Sequence, residues 1–255
     1  MVKKIPTGVK ELDRLLGGGI NRFSAVLFIY DPETYGYILA FRILKNMIDN
    51  KYCCIVSNHS LPIDLLHKRL KEYIGLDMIS EMKKKSLIVI DNYDVVRGFT
   101  KLEESLFEKY EKVLKVKGDS LDSTYVPKMI DIYSLISKNH CSGERGSIYL
   151  MYDLADIYEA FMTTEKLDKA SIKASKIIEK LYYDALKYRR STDVIMATID
   201  KSRVDKRFLS NMIKLADYTI NIEYDNGDTY ISWLMKPKEK KKINIKKYLE
   251  KSLFE

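Results

Sequence analysis

The chain has 255 residues, 46% of them hydrophobic, and carries 44 Lys and Arg against 36 Asp and Glu, a formal charge of +8. That is enough apolar material for one sizeable core, and no stretch approaches the ~20 apolar residues a membrane-spanning helix needs, so a membrane protein is excluded at this level. Cys53, Cys54 and Cys141 offer neither paired C-x-x-C metal spacing nor a disulfide framework, which points to a reducing cytoplasm, and the N-terminus runs into its first helix with no leader segment expected.

Val9, Leu12, Leu15 and Leu16 form one apolar face at helical spacing, and Gly17, Gly18 and Gly19 supply the left-handed residues that end a helix. Ala25 to Tyr30 is a continuous apolar run, the pattern of a strand buried on both faces of a parallel sheet. A helix is predicted over Ile38 to Ile48, a second buried strand within Tyr52 to Ser60, and a helix opened by Ser60 and Pro62 that ends near Ile74, proline being tolerated in a first turn. Leu87 to Ile90 predicts a strand with Asp91 at its end. Leu102 to Val116 and Pro127 to Ser137 read as helices separated by the polar loop Lys117 to Thr124, and the region 97 to 146 is open between covering the sheet and forming a binding surface.

Ser147 to Tyr152 is an apolar strand followed by Asp153, a residue that can cap a helix over Leu154 to Met162. Asp168 caps a long predicted helix to about Tyr188, and Asp193 to Ile199 is the next core strand. Asp225-Asn226-Gly227-Asp228 is a turn signal between the alternating segments Tyr218 to Tyr224 and Thr229 to Met235, which predicts an antiparallel hairpin. Ile243, Ile245, Tyr248, Leu249, Leu253 and Phe254 then predict a short amphipathic helix. Alternation of helix and strand through the chain is the signature of an α/β sheet.

Residues 30 to 38, Tyr-Asp-Pro-Glu-Thr-Tyr-Gly-Tyr-Ile, stand between a buried strand and a helix, where a phosphate loop of the form G-x-x-x-x-G-K-[ST] would stand. Such a loop needs glycines so that its N–H groups wrap the phosphates, a lysine for their charge and a hydroxyl for magnesium. Here Asp31 takes the first glycine position, Tyr37 the lysine position and Ile38 the hydroxyl position; only Gly36 matches, Thr34 lies inside the loop, and Glu33 adds a second carboxylate. One like-charge contact at ~4 Å costs roughly 4 kcal/mol at an effective dielectric near 20, so tight triphosphate binding in the usual pose is not expected. Tyr35 and Tyr37 are expected to fill the vacated space with their rings.

The surroundings of this loop resemble the KaiC branch of the RecA-like ATPases, related to the RadA recombinases, along almost the whole chain. Ile5-Pro6-Thr7-Gly8-Val9-Lys10-Glu11-Leu12-Asp13-Arg14-Leu15-Leu16-Gly17-Gly18-Gly19-Ile20 looks like the family's opening segment. Leu215-Ala216-Asp217-Tyr218-Thr219-Ile220 resembles its L-A-D-x-x-I turn into the hairpin. The resemblance implies a RecA-like P-loop NTPase fold, a mostly parallel central sheet flanked by helices with a C-terminal antiparallel hairpin. It also implies that Asn58 and His59 occupy the family's catalytic glutamate pair, and that Asp153 corresponds to the Walker B aspartate that helps hold magnesium. Lys236 and Lys238 match a K-x-R pair that reaches a neighbouring subunit's nucleotide, with Pro237 as a departure.

From Lys236 to Lys251 eight lysines face only Glu239 and Glu250, so residues 236 to 255 read as a basic tail on a core of residues 1 to 235. The tail could contact nucleic acid through phosphates, or an acidic partner, or stay solvated. A second basic cluster, Lys201, Arg203, Lys206 and Arg207, follows a core strand where recombinases carry a DNA-contacting loop. Abundant Lys, Ile and Tyr suggest a thermophilic archaeal source. Together these features predict a degenerate ATPase fold, a pseudo-ATPase acting as a regulatory, scaffold or assembly subunit with a protein partner or as a homo-oligomer. No cofactor is expected beyond weak ATP and magnesium. The alternatives are a nucleotide-binding ATPase with an unconventional loop and a DNA-binding recombinase paralogue.

Overall fold

The computed structural model describes residues 4–93, 96, 113–115, 146–164, 176, 192–235 and 243–245. A nine-stranded sheet organises them. In chain order its strands are β3 (Ser24–Tyr30), β4 (Cys53–Asn58), β5 (Leu87–Asp91), β6 (Val113–Lys115), β7 (Ser147–Tyr152), β8 (Thr192–Asp200), β9 (Tyr218–Asp225), β10 (Asp228–Met235) and β11 (Ile243–Asn244). A separate ribbon pairs β1 (Lys4–Ile5) with β2 (Ile20–Asn21) around the helix α1 (Lys10–Leu15). The order across the main sheet is β11-β10-β9-β3-β8-β7-β4-β5-β6. The ladders from β9 through β6 are parallel, whereas β10 runs antiparallel to both β9 and β11.

The central strands are apolar on both faces because both faces are covered. Val26, Phe28 and Tyr30 of β3 point to one side, where α2 (Tyr37–Asp49), α3 (Ile63–Ile74) and α4 (Met78–Lys83) pack, and Ala25, Leu27 and Ile29 point to the other. That second side is covered by α5 (Leu154–Thr164) and α6 (Lys206–Leu215). Helix α2 is buried over most of its circumference, from Tyr37 and Ile38 through Phe41 and Leu44 to Met47 and Ile48, and Arg42, Lys45, Asn46 and Asp49 form its narrow polar stripe. The start of β3 is tied to the turn before β9: Asp217 N donates to Ala25 O at 3.0 Å, and Ala25 N donates to Asp217 Oδ2 at 2.8 Å. The L-A-D aspartate is therefore a structural pin between neighbouring strands.

Three expectations need correction, and one helix was not foreseen. Val113–Lys115 is a strand paired in parallel with β5, not the end of a helix over 102 to 116, because an edge-strand position in the sheet overrides local helical preference. Ile243–Asn244 is likewise a strand, with Ile231 opposite Ile243 and Ile245 buried, so the amphipathic helix expected from Ile243 does not begin there. Helix α4 was not foreseen, although Asp77 caps it by accepting from Ser80 N at 3.0 Å and Met78 and Met82 bury one face. Cys53 is disulfide-bonded to a partner outside the described residues, while Cys54 is a buried free thiol. Pairing depends on distances that tertiary structure alone creates, so the cysteines no longer argue for a reducing compartment. The helix expected over 127 to 137 lies outside the described residues, as does most of that over 168 to 188. No helix among the described residues is long and apolar enough to cross a membrane.

Because Phe41 is 1% exposed and its ring stands edge-on to Tyr152 at 5.1 Å, Phe41→Ala is expected to cost about 3–5 kcal/mol in urea-denaturation stability. A loss under about 1 kcal/mol would mean that α2 does not sit in the core as described.

Candidate functional site at the carboxyl edge of the sheet

The parallel strands end together in polar or aromatic residues: Tyr30 and Asp31 after β3, Asp200 of β8, Tyr152 and Asp153 after β7, Asn58 and His59 after β4, and Asp91 and Asn92 after β5. Open α/β sheets bind ligands at this edge. The loop from β3 to α2 crosses it.

Asp31 leads into a 3-10 turn over Pro32–Thr34, and Tyr35 takes the left-handed conformation, φ 47 and ψ 36, before Gly36 starts α2. The loop spends its own N–H groups internally. Thr34 N donates to Asp31 O at 3.0 Å, and Gly36 N donates to Thr34 Oγ1 at 3.1 Å. Ile38 N donates to Tyr35 O at 2.8 Å, and the buried Thr34 hydroxyl donates to Asp31 O at 2.6 Å. Gly36 is demanded by packing: a Cβ there would lie 2.4 Å from Tyr30 Cβ.

Tyr37 is buried at 5% exposure, with ring centroids 6.1 Å from Tyr30 and 5.2 Å from Tyr152. Arg69 Nη1 of α3 donates to its hydroxyl at 3.3 Å. Ile38 is fully buried and Glu33 is exposed. Tyr37 thus fills space as expected, whereas Tyr35 does not: it is 50% exposed and stacks on Tyr73 at 6.0 Å. Asp31 is paired with Lys201 at 3.1 Å, so its charge is compensated, and Glu33 is the loop carboxylate with no ion pair among the described residues.

Asp153 is fully buried and accepts three hydrogen bonds: from Tyr30 OH at 2.7 Å, Ala155 N at 3.1 Å and Asp200 N at 3.3 Å. Burial pushes its carboxyl up to about 7, with the Tyr30 bond opposing and the neighbouring Asp156 adding to the rise. Burial, then the Asp153 charge, raises the Tyr30 phenol well above its ordinary range. The capping role expected of Asp153 is present in the bond from Ala155 N. Tyr30, Tyr152, Arg69 and Tyr73 were missed from sequence; the aromatic residues flanking a buried strand and loop were the available signal.

Asn58 is consumed locally, donating to Leu61 O at 2.7 Å and to Asp91 Oδ1 at 3.0 Å. His59 is 2% exposed and turned toward the other face, its Nε2 3.0 Å from Ser57 Oγ and 3.4 Å from Asn92 Nδ2. Burial lowers the imidazole to about 4 against the pull of Asp156, so it is uncharged at neutral pH. Arg203 is turned inward: its Nη2 meets Asp156 Oδ1 at 2.6 Å and its Nε donates to Glu159 Oε1 at 2.8 Å, both on α5. Of the basic cluster, Lys201 and Arg203 are engaged by carboxylates, and Lys206 and Arg207 are exposed. Lys236 and Lys238 lie outside the described residues. No group of three or more His, Cys, Asp or Glu among the described residues is arranged to hold a metal ion.

The two buried titrating groups impose opposite pH dependences. Asp153, raised from 3.8 to about 7, contributes stability that is present below its unfolded pKa and lost as pH rises to about 7. His59, lowered from 6.5 to about 4, contributes stability that is present above 6.5 and lost as pH falls to about 4. Relative to the parent chain, Asp153→Asn is therefore expected to gain stability from pH 4 to 7, and His59→Gln to lose it from pH 4 to 6.5, each by a few kcal/mol at roughly 1.4 kcal/mol per pKa unit. Parallel profiles of parent and variants in chemical denaturation would disprove the assignment.

No protein-family model matches the chain, and no curated protein matches it. Solved structures do. An uncharacterized protein, PH0321 from Pyrococcus horikoshii, solved in complex with an unknown peptide, aligns over 96% of this chain and 97% of its own with TM-score 0.75 and 16% identity. A KaiC-like protein from the same organism, PH0186, aligns over 96% and 94% with TM-score 0.66 and 13% identity. The flagellar accessory protein FlaH from Methanocaldococcus jannaschii aligns over 99% and 90% with TM-score 0.59 and 12% identity. At these identities the likeness concerns the fold, and with the sheet order above it establishes a RecA-like, KaiC-like α/β architecture with a C-terminal antiparallel hairpin.

Proposed function

We propose that this protein is a catalytically degenerate ATPase fold that acts as a regulatory, scaffold or assembly subunit and does not turn over ATP. One observation carries the reading: the Tyr37 ring is buried at the position of the phosphate-loop lysine. The loop supports it by turning the N–H groups of Thr34, Gly36 and Ile38 onto its own oxygens. A phosphate chain needs those donors free and pointing outward.

The residues present do not fit ATP with magnesium. The carboxylate that corresponds to the Walker B aspartate is enclosed by Tyr30 and the Asp200 and Ala155 amides, and the hydroxyl position holds a fully buried isoleucine. At the catalytic glutamate positions, Asn58 is spent on Leu61 and Asp91, and His59 is enclosed and uncharged. Opening the site would break the Tyr30–Asp153 bond and expose packed rings.

A role in binding another protein agrees with the peptide found on the neighbour of highest TM-score named above. A nucleic-acid role has less support, because Lys201 and Arg203 are paired within the fold.

Calorimetric titration with MgATP and MgADP, with Tyr37→Lys, Ile38→Thr alongside, tests the reading. No binding tighter than ~10 µM is expected for the parent chain, a threshold of about −7 kcal/mol. Tighter binding, with hydrolysis in a phosphate-release assay, would replace it with an active ATPase.

A further inference from the structure

Beside the closed loop lies a partly exposed surface of tyrosine, leucine and arginine side chains. Tyr35 is 50% exposed, stacks on Tyr73 with ring planes 27° apart, and stands edge-on to Tyr37 at 6.4 Å. Leu65 is 37% exposed one helical turn before Arg69, and Tyr73 follows one turn after it, so Leu65, Arg69 and Tyr73 share a face of α3. Arg69 makes a single hydrogen bond among the described residues, to Tyr37 OH, which leaves most of its five N–H donors unspent. Tyr37, Tyr73 and Tyr152 lie around it, and among the described residues no carboxylate forms a salt bridge with it.

We infer that this face docks an acidic peptide segment of a partner protein, with one carboxylate on the Arg69 guanidinium and an adjoining apolar side chain laid against Tyr35, Tyr73 and Leu65. The inference rests on the proposed binding role and names the chemistry of its partner. Charge complementarity selects the occupant. An arginine fork with free donors pairs with a carboxylate in planar, two-bond geometry. Tyrosine and arginine are also the residues that dominate interface energetics when clustered, and stacked aromatic rings supply contact area at low entropic cost. Tyr35 holds this position in a left-handed conformation that glycine would adopt without strain.

A random dodecapeptide library displayed on phage and selected against the purified full chain tests this, followed by anisotropy titration of the winning peptides. The enriched sequences are expected to carry Asp or Glu next to an aromatic or leucine side chain. Arg69→Ala and Tyr35→Gly are each expected to weaken binding by at least about tenfold, the equivalent of 1.4 kcal/mol. Arg69→Lys should recover part of the loss, since it restores charge without the fork. Tyr35→Gly keeps the backbone conformation, so a melting temperature near that of the parent separates loss of docking from loss of fold.

Enriched peptides without acidic residues, affinities unmoved by either variant, or no enrichment overturns the inference. Parallel titration with MgATP keeps it separable from the pseudo-ATPase reading. Peptide binding that depends on Arg69, together with tight MgATP binding that does not displace the peptide, would sink that reading and leave the docking surface standing. Displacement of the peptide by tightly bound MgATP would overturn both.

Discussion

The buried carboxylate of Asp153 organises the carboxyl edge of the sheet. A carboxyl group enclosed in the core requires donors, and it finds three, of which only Tyr30 OH comes from a side chain. That bond fixes the Tyr30 ring at the end of β3. Tyr30 Cβ, set by the β3 backbone, leaves no room for a Cβ at Gly36, so only glycine lets the loop pass this close as α2 begins. With α2 starting there, Tyr37 is delivered between Tyr30 and Tyr152, and Phe41 meets Tyr152 one turn later. The Tyr30–Asp153 bond and the close approach at Gly36 together close the loop over its own rings.

The two faces of the sheet edge solve the same problem differently. On the α2 side, space is filled by aromatic rings. On the α5 side it is filled by a buried polar cluster in which Asn92 Nδ2 donates to Ser57 Oγ at 2.8 Å and His59 stands against both. Arg203 closes that side by joining the 3-10 turn after β8 to Asp156 and Glu159 of α5. Both arrangements bury groups that solvent would otherwise reach, which is why Asp153 and His59 are displaced in opposite directions from their ordinary titration ranges by the same cause, loss of water.

Fold and chemistry separate cleanly along this chain. Asp217 holds β3 to β9 through two backbone-directed bonds, and the glycines after α1 allow Gly19 to pass where a Cβ would meet Ile5 O at 2.3 Å. Those residues serve architecture. The loop, Asn58 and His59 lie outside that frame, and their packing closes the carboxyl edge of the sheet. The architecture therefore supports many activities, and the site has to be argued from its own residues.

Most of the architecture was legible in local sequence. Apolar runs within 25 to 30, 53 to 56 and 148 to 152 marked strands covered on both faces, and the Asn226-Gly227 turn identified the hairpin, because burial and turn geometry act over a few neighbouring residues. The departure of residues 31 to 38 from the G-x-x-x-x-G-K-[ST] pattern was likewise evident from spacing. What tertiary structure alone decided were the relations between distant residues: Lys201 neutralising Asp31, Arg69 reaching Tyr37, Tyr30 meeting Asp153, and the edge strands at 113 to 115 and 243 to 244. Each depends on which surfaces the folded sheet brings within a few ångströms, and neither local propensity nor periodicity carries that distance.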